Sequence, residues 1–412
     1  MYYYRDDERL YASLTPLPLV VAPPPDGDET PIFLFSREPL SCRTTYKVSD
    51  AAQLVAEEDI RWLDLSRLPQ APALDRPLER AISQGKLRAV NAGHPRWRDA
   101  VSPLSGKSRL NVLALGDVGS TLVIGLRLLG ADVLDSIGLY DPRPGMARRW
   151  EFELGQISPP WAYDALPPLA LVTPDQLFDC DVFVFCASRY VPPVGSPVAD
   201  VRMAQYAQNA PLIAAYARQA REEKFRGSFC VVSDPVDPLC KTALFESNRD
   251  SYGVLDYGGL FPEQVRGFGL GVMNARAAYF AKQDARFSSF LTEGRSFGPH
   301  GAGLVIANSL EYYDDALSQE LTHKVVTANL LMREWGYKPY VAPALSSGAL
   351  QLLLLLRGEW HCSSTYVGGV FMGAKNRLTP AGPELESVPL PDKLFARIRE
   401  AADQLAAIGE SP

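Results

Sequence analysis

The chain of 412 residues is longer than the roughly 250–300 at which one hydrophobic core stops growing, which excludes a single small module. Apolar residues make up 47% and charged residues 22%, a balance typical of folded proteins and not of disordered or fibrous chains. The formal net charge of −7 argues against a broad nucleic-acid-binding surface. We therefore expect a folded protein of at least two lobes that does not bind nucleic acid.

Targeting and metal-binding signals are weak in this sequence. The N-terminus has neither a basic stretch nor an apolar core, so we expect no signal peptide. The most apolar run, Ala349–Leu356, is far short of the about 20 residues that span a bilayer, so no membrane contact is expected. The six cysteines show no CxxC pair, which favours reduced thiols in a cytoplasmic protein and predicts no metal site.

The first part of the chain, residues 1–105, alternates short apolar runs with turn residues. Helices are predicted near Ala51–Glu58 and Arg76–Gln84. We expect this segment to form a small α+β lobe.

From residue 106 to residue 254 apolar strands, a glycine-rich turn and helices alternate, as in a parallel sheet covered by helices. The predicted elements are strands Asn111–Leu115, Ile137–Tyr140, Val182–Cys186 and Ser228–Ser233 and helices Thr121–Leu129 and Arg202–Lys224. This pattern predicts an α/β fold with a Rossmann-type dinucleotide-binding domain.

Residues 255–412 form the last predicted domain, an α+β substrate domain. Its predicted elements are helices Leu317–Trp335, Ala344–Arg357 and Asp392–Ala407 and a strand at Ser364–Met372.

The turn between the first strand and helix of the middle domain carries candidate cofactor-binding residues. It reads Gly116, Asp117, Val118, Gly119, where glycines allow backbone N–H groups and a helix N-terminus to approach a pyrophosphate. Ala114 stands where the usual motif has its first glycine, so an ordinary strand-to-helix turn stays an alternative.

A candidate ribose-binding acid, Asp141, follows the next strand, about 25 residues after Gly116. A carboxylate there accepts hydrogen bonds from the adenosine ribose and repels a 2′-phosphate, which favours NAD. Arg143 lies close behind, so NADP stays the less favoured alternative, and Asp141 as a simple turn residue before Pro142 is the other.

Ordered motifs along the chain resemble those of the lactate/malate dehydrogenase family. They are Gly116–Gly119, Asp181–Ala187, Val231–Asp237, Gly267–Arg276 and Gly298–Gly301, and the resemblance covers roughly residues 108–408. It implies NAD-dependent hydride transfer between nicotinamide and a small 2-hydroxy or 2-oxo acid, a cofactor contact at Ala187, and a homo-oligomer, either a dimer or a tetramer.

The resemblance also implies roles for three polar residues. His300 matches the histidine that exchanges a proton with the substrate oxygen, and an imidazole suits this because its unperturbed pKa is about 6.5. Arg276 matches the arginine that grips the substrate carboxylate with its planar fork of donors. Arg202 matches a lid arginine that polarises the substrate carbonyl. The alternatives are structural roles: a histidine in a turn, and arginines in surface ion pairs or in solvent.

The sequence departs from the family pattern at the histidine's partner. The family has an aspartate three residues before the carboxylate-binding arginine, and Met273 stands there instead. The family's asparagine near the substrate oxygen is replaced by Asp234. We hypothesise that Asp234 pairs with His300 and stabilises its imidazolium form, with a turn-capping role for Asp234 as the alternative. The lid before Arg202 is longer than usual and carries three prolines, so substrate identity is not predicted.

These features favour an NAD-dependent 2-hydroxy-acid dehydrogenase. Met273 and Ala114 favour an alternative, a catalytically weakened dinucleotide-binding or scaffold protein that retains the dehydrogenase fold. A third possibility is an enzyme for a larger or amino-bearing substrate, since Asp234 is suited to recognise an ammonium group.

Overall fold

The structure is a computed structural model that describes residues 1–6, 8–25, 29–100, 106–189 and 203–408, with the backbone alone at residues 101, 201 and 202. It places a small lobe of mixed strands and helices before a larger body built on a mainly parallel sheet. The α/β fold class with an added N-terminal α+β lobe is therefore confirmed.

The elements are numbered in chain order. The strands are β1 (Tyr2–Asp6), β2 (Arg9–Ser13), β3 (Ile32–Phe35), β4 (Thr45–Lys47), β5 (Arg88–Asn91), β6 (Ser108–Leu113), β7 (Leu134–Tyr140), β8 (Leu169–Leu171), β9 (Val182–Phe185), β10 (Ser228–Val231), β11 (Val265–Gly267), β12 (Arg295–Phe297), β13 (Val305–Ala307), β14 (His361–Val367), β15 (Val370–Thr379) and β16 (Gly382–Leu385). The α-helices are α1 (Arg76–Ser83), α2 (Asp117–Leu129), α3 (Met146–Gly155), α4 (Val201–Glu222), α5 (Val236–Ser247), α6 (Leu270–Ala281), α7 (Phe290–Glu293), α8 (Asp315–Glu334), α9 (Leu350–Leu356) and α10 (Asp392–Ala407).

Most predicted elements of the middle domain are present with ends shifted by a few residues. They are β6, α2, β7, β9, α4 and β10, and the predicted helices near α1, α8 and α10 are present as well. These segments have long or strongly apolar patterns, and this makes periodicity a good guide to them.

Three predicted segments differ from the structure. The strand expected at Ser364–Met372 is a hairpin of β14 and β15, because Gly368 and Gly369 both take positive φ values and turn the chain. The helix expected at Ala51–Glu58 is only a 3₁₀ helix at Ala51–Leu54, and Glu58 instead binds the buried Arg43 at 2.9 Å. The start of the helix expected at Ala344–Arg357 is a π-helical segment, Pro343–Ala349.

The body is organised around a nine-stranded sheet with the order β16-β15-β14-β11-β10-β9-β6-β7-β8. The six strands from β8 to β11 pair in parallel, while β14, β15 and β16 pair antiparallel. Counted from β6, the parallel strands have the order 3-2-1-4-5-6 of a Rossmann sheet. The sheet continues past the predicted domain boundary at residue 255, since β11 pairs with β10.

The N-terminal lobe is built on a five-stranded sheet with the order β1-β2-β3-β5-β4. Its buried residues, among them Trp62 and Leu78, share one hydrophobic cluster with Leu394 and Ile398 of α10. Glu263 of the body also accepts hydrogen bonds from the backbone N–H groups of residues 44 and 45, at 2.9 and 3.1 Å. The lobe therefore packs firmly against the body.

The parallel strands leave their carboxyl ends along one edge of the sheet, and we call this the carboxyl edge. The segments that follow β6, β7, β9, β10 and β11 all emerge there. Ligands of such sheets bind at this edge, where the strand order reverses. In the described part of the chain no helix has the length and apolar character needed to span a bilayer. Nor do three His, Cys, Asp or Glu side chains of that part converge as metal ligands.

Candidate active site

The turn between β6 and α2 has the backbone geometry of a phosphate-binding turn. Ala114 takes a φ of +74°, the left-handed conformation that glycine adopts without strain. A Cβ added at Gly119 would lie 2.0 Å from the carbonyl oxygen of Ala114, so only glycine fits there. A Cβ added at Gly116 would meet nothing within 4 Å, so the turn is open to solvent at this point.

This turn fits the pyrophosphate of a dinucleotide. Gly116 caps α2, and the first residues of that helix, Asp117 and Val118, present the positive end of its dipole to the carboxyl edge. The turn also lies against the end of β9, because a Cβ at Gly119 would be 3.3 Å from the Cβ of Cys186, the neighbour of Ala187. It thus stands between β6 and β9, where the strand order reverses.

The acidic side chain at Asp117 does not oppose phosphate binding with its full charge. It is exposed, and its Oδ2 lies 3.3 Å from the Nζ of Lys338. Each of the predicted cofactor residues Gly116, Asp117, Val118, Gly119 and Ala187 is therefore placed along the turn or the strand end that faces it. Their contact with a cofactor stays a prediction.

Asp141, the predicted ribose acid, lies at the end of β7 but is already fully hydrogen-bonded. Its Oδ2 accepts from the backbone N–H of Leu115 at 2.7 Å and from Nη2 of Arg143 at 2.8 Å. Its Oδ1 accepts from the backbone N–H and from Nε of Arg143, both at 2.9 Å. The carboxylate is 1% exposed, whereas the Arg143 side chain is 56% exposed.

Electrostatics hold Asp141 in its charged form. Burial acts to raise the pKa of this carboxyl, but the hydrogen bonds from Arg143 and from the Leu115 N–H outweigh burial and hold the pKa below its ordinary value. The same pair raises the pKa of the Arg143 guanidinium. Asp141 therefore anchors the β6–α2 turn to β7 through Leu115 and pairs with Arg143 at the same time.

His300 lies at the other end of the carboxyl edge, beside the end of β11. Its Nδ1 is 2.9 Å from the carbonyl oxygen of Gly269. Because a carbonyl only accepts, Nδ1 carries the proton and Nε2 is the unprotonated nitrogen of the neutral ring. A Cβ at Gly269 would lie 2.8 Å from the Cβ of His300, so the glycine lets the ring approach this closely.

The carbonyl that holds His300 is itself fixed. The buried Oγ of Ser347, in the π-helical segment, donates to the Gly269 oxygen at 2.9 Å and accepts from the backbone N–H of Val272 at 2.8 Å. Ser347 thus joins the start of α6 to the segment before α9. The Gly269 carbonyl fills the place of a histidine partner with a neutral acceptor.

Met273, which stands where the resembled motif has an aspartate, is buried and contacts Arg276. Its Sδ lies 3.6 Å from Nη1 of Arg276, which is also 3.4 Å from the carbonyl oxygen of Val325. Burial lowers the pKa of the Arg276 guanidinium, and the negative charge of Asp234 opposes that shift. The guanidinium of Arg276 therefore lies in a partly apolar environment, where the negative charge of Asp234 favours its charged form.

Asp234 follows β10 and is exposed. Its backbone oxygen accepts from Nδ2 of the fully buried Asn209 at 2.9 Å, and the Oδ1 of Asn209 accepts from the N–H of Arg189 at 2.9 Å. Asn209 of α4 thus joins the segments after β9 and β10. Asp234 and Arg276 interact electrostatically. The pairing of Asp234 with His300 stays a prediction.

The lid lies largely outside the description. Residues 190–200, with the three prolines, are outside the described residues, and so is the side chain of Arg202. The backbone of Arg202 is in the first turn of α4. Its catalytic and substrate-binding roles stay predictions.

Sequence reasoning missed several residues that shape the site. They are Gly269, Ser347, Asn209 and Leu115, together with the carboxylate-binding role of Arg143. A glycine two residues after the end of a buried strand was a usable signal for Gly269. A backbone carbonyl acting as a histidine partner, in contrast, has no side-chain signature in the sequence.

Comparisons with known proteins support the fold. No protein-family model and no curated protein matches the sequence. A lactate dehydrogenase from a Medee basin deep-sea metagenome library is similar in structure, with a TM-score of 0.58, 18% identity and coverage of 73% of this chain and 97% of that one. The minor L-lactate dehydrogenase of Enterococcus mundtii, in a ligand-bound form, gives 0.57 and 17% with the same coverage.

A malate dehydrogenase from Archaeoglobus fulgidus, in complex with NADH, has a TM-score of 0.56 and 19% identity, and covers 72% of this chain and 97% of that one. Identities of 17–19% show a shared fold and no more. The chain therefore has a lactate/malate dehydrogenase-like fold, with a Rossmann sheet followed by a second region and preceded by an additional lobe.

Proposed function

We propose that the protein is a nicotinamide-dinucleotide-dependent oxidoreductase that interconverts a small 2-hydroxy acid and its 2-oxo acid. The observation that carries the proposal is the hydrogen bond from His300 Nδ1 to the Gly269 carbonyl, at the carboxyl edge of a Rossmann sheet. This hydrogen bond leaves Nε2 unprotonated in the neutral ring, which supports Nε2 as the proton-exchanging nitrogen on the side of the sheet where such folds bind ligands.

The residues divide the work as follows. His300 Nε2 donates a proton to the substrate oxygen in reduction and takes it back in oxidation. Arg276 binds the substrate carboxylate, a role that its half-buried guanidinium suits because low solvent exposure strengthens a charge-assisted hydrogen bond.

Arg202 polarises the substrate carbonyl from the lid. The negative charge of Asp234 acts on Arg276. The nicotinamide of a bound dinucleotide would supply or accept the hydride. Gly116–Gly119 and Ala187 bind the pyrophosphate of the dinucleotide.

The presence of Met273 where the resembled motif has an aspartate sets the expected strength of catalysis. A carbonyl fixes the tautomer and orientation of an imidazole but brings no full negative charge to an imidazolium. We therefore expect a working enzyme whose histidine orientation is kept and whose charge stabilisation depends on Asp234.

The remaining expectations belong to the same proposal. They are a cytoplasmic location, a dimer or tetramer, and a small 2-oxo or 2-hydroxy acid as the partner. The sequence also favours NAD over NADP, and that choice is separate from the proposed function. The likeness to lactate and malate dehydrogenases supports a substrate of this class.

The test begins with fluorescence titration of the full chain with NADH and NADPH. Oxidation of the bound dinucleotide is then measured across a panel of 2-oxo acids for wild type, His300→Asn and His323→Asn. His323 is the matched control because it is an exposed histidine on α8. We expect His300→Asn to lower kcat/KM by about 10²–10⁴-fold with dinucleotide affinity unchanged, and His323→Asn to behave as wild type.

Two outcomes would contradict the proposal. Tight dinucleotide binding without turnover of any acid would favour the scaffold or dinucleotide-binding alternative. Undiminished turnover in His300→Asn would show that another group exchanges the proton.

A further inference from the structure

We propose that the ribose end of the dinucleotide site recognises the 2′-phosphate of NADP(H), with Arg143 as the phosphate-binding residue. The inference rests on the proposed function, because it assigns which dinucleotide the site takes. It departs from the sequence expectation of NAD, in which Asp141 binds the ribose hydroxyls.

Asp141 has no free position left to accept a hydrogen bond from a ribose. A carboxylate offers about four lone-pair positions, and four donors occupy them in this structure. One donor is the backbone N–H of Leu115 and three belong to Arg143. To accept the two ribose hydroxyls of NAD, Asp141 would have to give up bonds that anchor the phosphate turn.

The second argument is accessibility. The Asp141 side chain is 1% exposed and the Arg143 side chain 56% exposed, so a ligand at the end of β7 meets the cation and not the anion. The ion pair also cancels the charge with which Asp141 would repel a 2′-phosphate. The feature that excludes NADP in an NAD site is thus neutralised.

The third argument is the local charge. One acid, Asp141, is accompanied by three arginines at positions 143, 148 and 149 before the next acid at position 151. Arg148 and Arg149 lie in the first turn of α3, whose N-terminal end carries the positive pole of the helix dipole. Nε of Arg149 is 3.7 Å from Oε2 of Glu153, which is long for an ion pair. The segment after β7 therefore has an excess of positive charge where the adenosine ribose would lie.

The arginine itself keeps donors for a phosphate. Arg143 uses its backbone N–H, Nε and Nη2 on Asp141, and among the described residues no acceptor pairs with its Nη1. A guanidinium held on one edge by a carboxylate presents its other edge in a fixed orientation, which favours binding of a planar pair of phosphate oxygens.

The test separates the 2′-phosphate from the rest of the cofactor. Binding of 2′,5′-ADP and of 5′-AMP to the full chain is measured by calorimetry for wild type, Arg143→Gln, Arg143→Lys and Arg286→Gln. Arg286 is the matched control, because it is 55% exposed and ion-paired with Asp284 and Glu320, as Arg143 is with Asp141. NADPH and NADH titrations by fluorescence accompany each variant.

We expect wild type and Arg286→Gln to bind 2′,5′-ADP and NADPH at least about tenfold more tightly than 5′-AMP and NADH. Arg143→Gln should bring this ratio near one, mainly by weakening the 2′-phosphate ligands, and Arg143→Lys should retain part of it. Far-ultraviolet circular dichroism checks that each variant is folded, and the lysine variant keeps the test valid if the glutamine variant unfolds.

Equal or tighter binding of NADH and 5′-AMP by wild type would overturn the inference while leaving the proposed function intact. An unchanged ratio in Arg143→Gln would overturn it as well. Failure of wild type to bind either dinucleotide would overturn both the inference and the proposed function.

Discussion

The two ends of the carboxyl edge each depart at one residue from the motifs that the sequence resembles, and the structure accommodates the two departures in different ways. At the phosphate end Ala114 stands for a glycine, and the backbone keeps the turn by holding alanine at a φ of +74°. At the histidine end Met273 stands for an aspartate, and the carbonyl of Gly269 takes over the bond to His300.

The phosphate end depends on the conformation of the backbone, whereas the histidine end depends also on side-chain charge. The turn needs only its shape, so a strained alanine preserves it at a modest energetic cost. The histidine needs both orientation and charge, and a neutral carbonyl restores only the orientation. We therefore expect changes at the histidine end to affect turnover and changes at the phosphate end to affect stability.

Gly269→Ala should give the largest effect of three changes that probe this comparison. The added Cβ would lie 2.8 Å from the Cβ of His300 and 3.0 Å from Cγ2 of Val236, so the imidazole must shift. Displacement of a catalytic group by about 1 Å lowers the rate by about 10²-fold, and we expect a fall in kcat of that size. Steady-state kinetics under saturating dinucleotide measures it.

Gly155→Ala is the matched control for this change, since a Cβ there would meet only Oε1 of Glu151, at 3.8 Å. Wild-type turnover is expected of the control. A Gly269→Ala protein with normal kcat would mean that the fixed position of His300 does not matter.

Asp141→Asn should have an intermediate effect, on stability. The carboxylate has a lowered pKa in the folded protein, because hydrogen bonds from Arg143 and Leu115 outweigh burial, so its contribution is present above the ordinary pKa of aspartate. The contribution is lost as the pH falls through the lower folded-state pKa. At pH 7 we expect unfolding to require about 1–2 kcal/mol less in the variant.

Urea unfolding of wild type and Asp141→Asn from pH 7 down to acid pH measures this difference. The gap between the two proteins should narrow as the acid limit is approached. A gap that is independent of pH would show that the charge of Asp141 does not stabilise the fold.

Ala114→Gly should have the smallest effect, a gain. Relief of the left-handed alanine is worth about 1–2 kcal/mol, and the larger freedom of glycine in the unfolded chain takes back part of it, for a net gain of about 0.5–1 kcal/mol. Thermal unfolding measures the change. Ala165→Gly, at an exposed turn residue without a positive φ, should give no gain, and equal gains in both variants would contradict the assignment of strain.

Much of the fold was predictable from the sequence because its strands are strongly apolar and separated by glycine-rich turns. β6, α2, β7, β9, α4 and β10 were predicted in order, whereas α3 and β8 between them were not. The positions of Gly116 and Gly119 in the β6–α2 turn and of Asp141 at the end of β7 were also predicted. The hairpin of β14 and β15 was missed because residues 364–372 were predicted as one strand. Gly368 and Gly369 interrupt its apolar run and form the turn.

The site was only partly predictable, for a physical reason. His300 and Arg276 carry distinctive side chains in glycine-rich or helical contexts, which a sequence reveals. The contacts of Asp141 with Leu115 and of His300 with Gly269 use backbone groups, and every residue has those. Whether a carboxylate faces a ligand or an arginine depends on tertiary packing that no local pattern records.

Transfer of deuterium from the nicotinamide to a 2-oxo acid tests the proposed hydride transfer most directly. The full chain is incubated with the best 2-oxo acid of the panel and with NADH or NADPH, whichever binds more tightly. The dinucleotide is deuterated at C4 of the nicotinamide. Mass spectrometry of the product then locates the deuterium. We expect wild type to form a 2-hydroxy acid with one deuterium at C2. We expect His300→Asn to form the same product at a rate at least about 10²-fold lower. Dinucleotide that binds but leaves every 2-oxo acid unlabelled would contradict it.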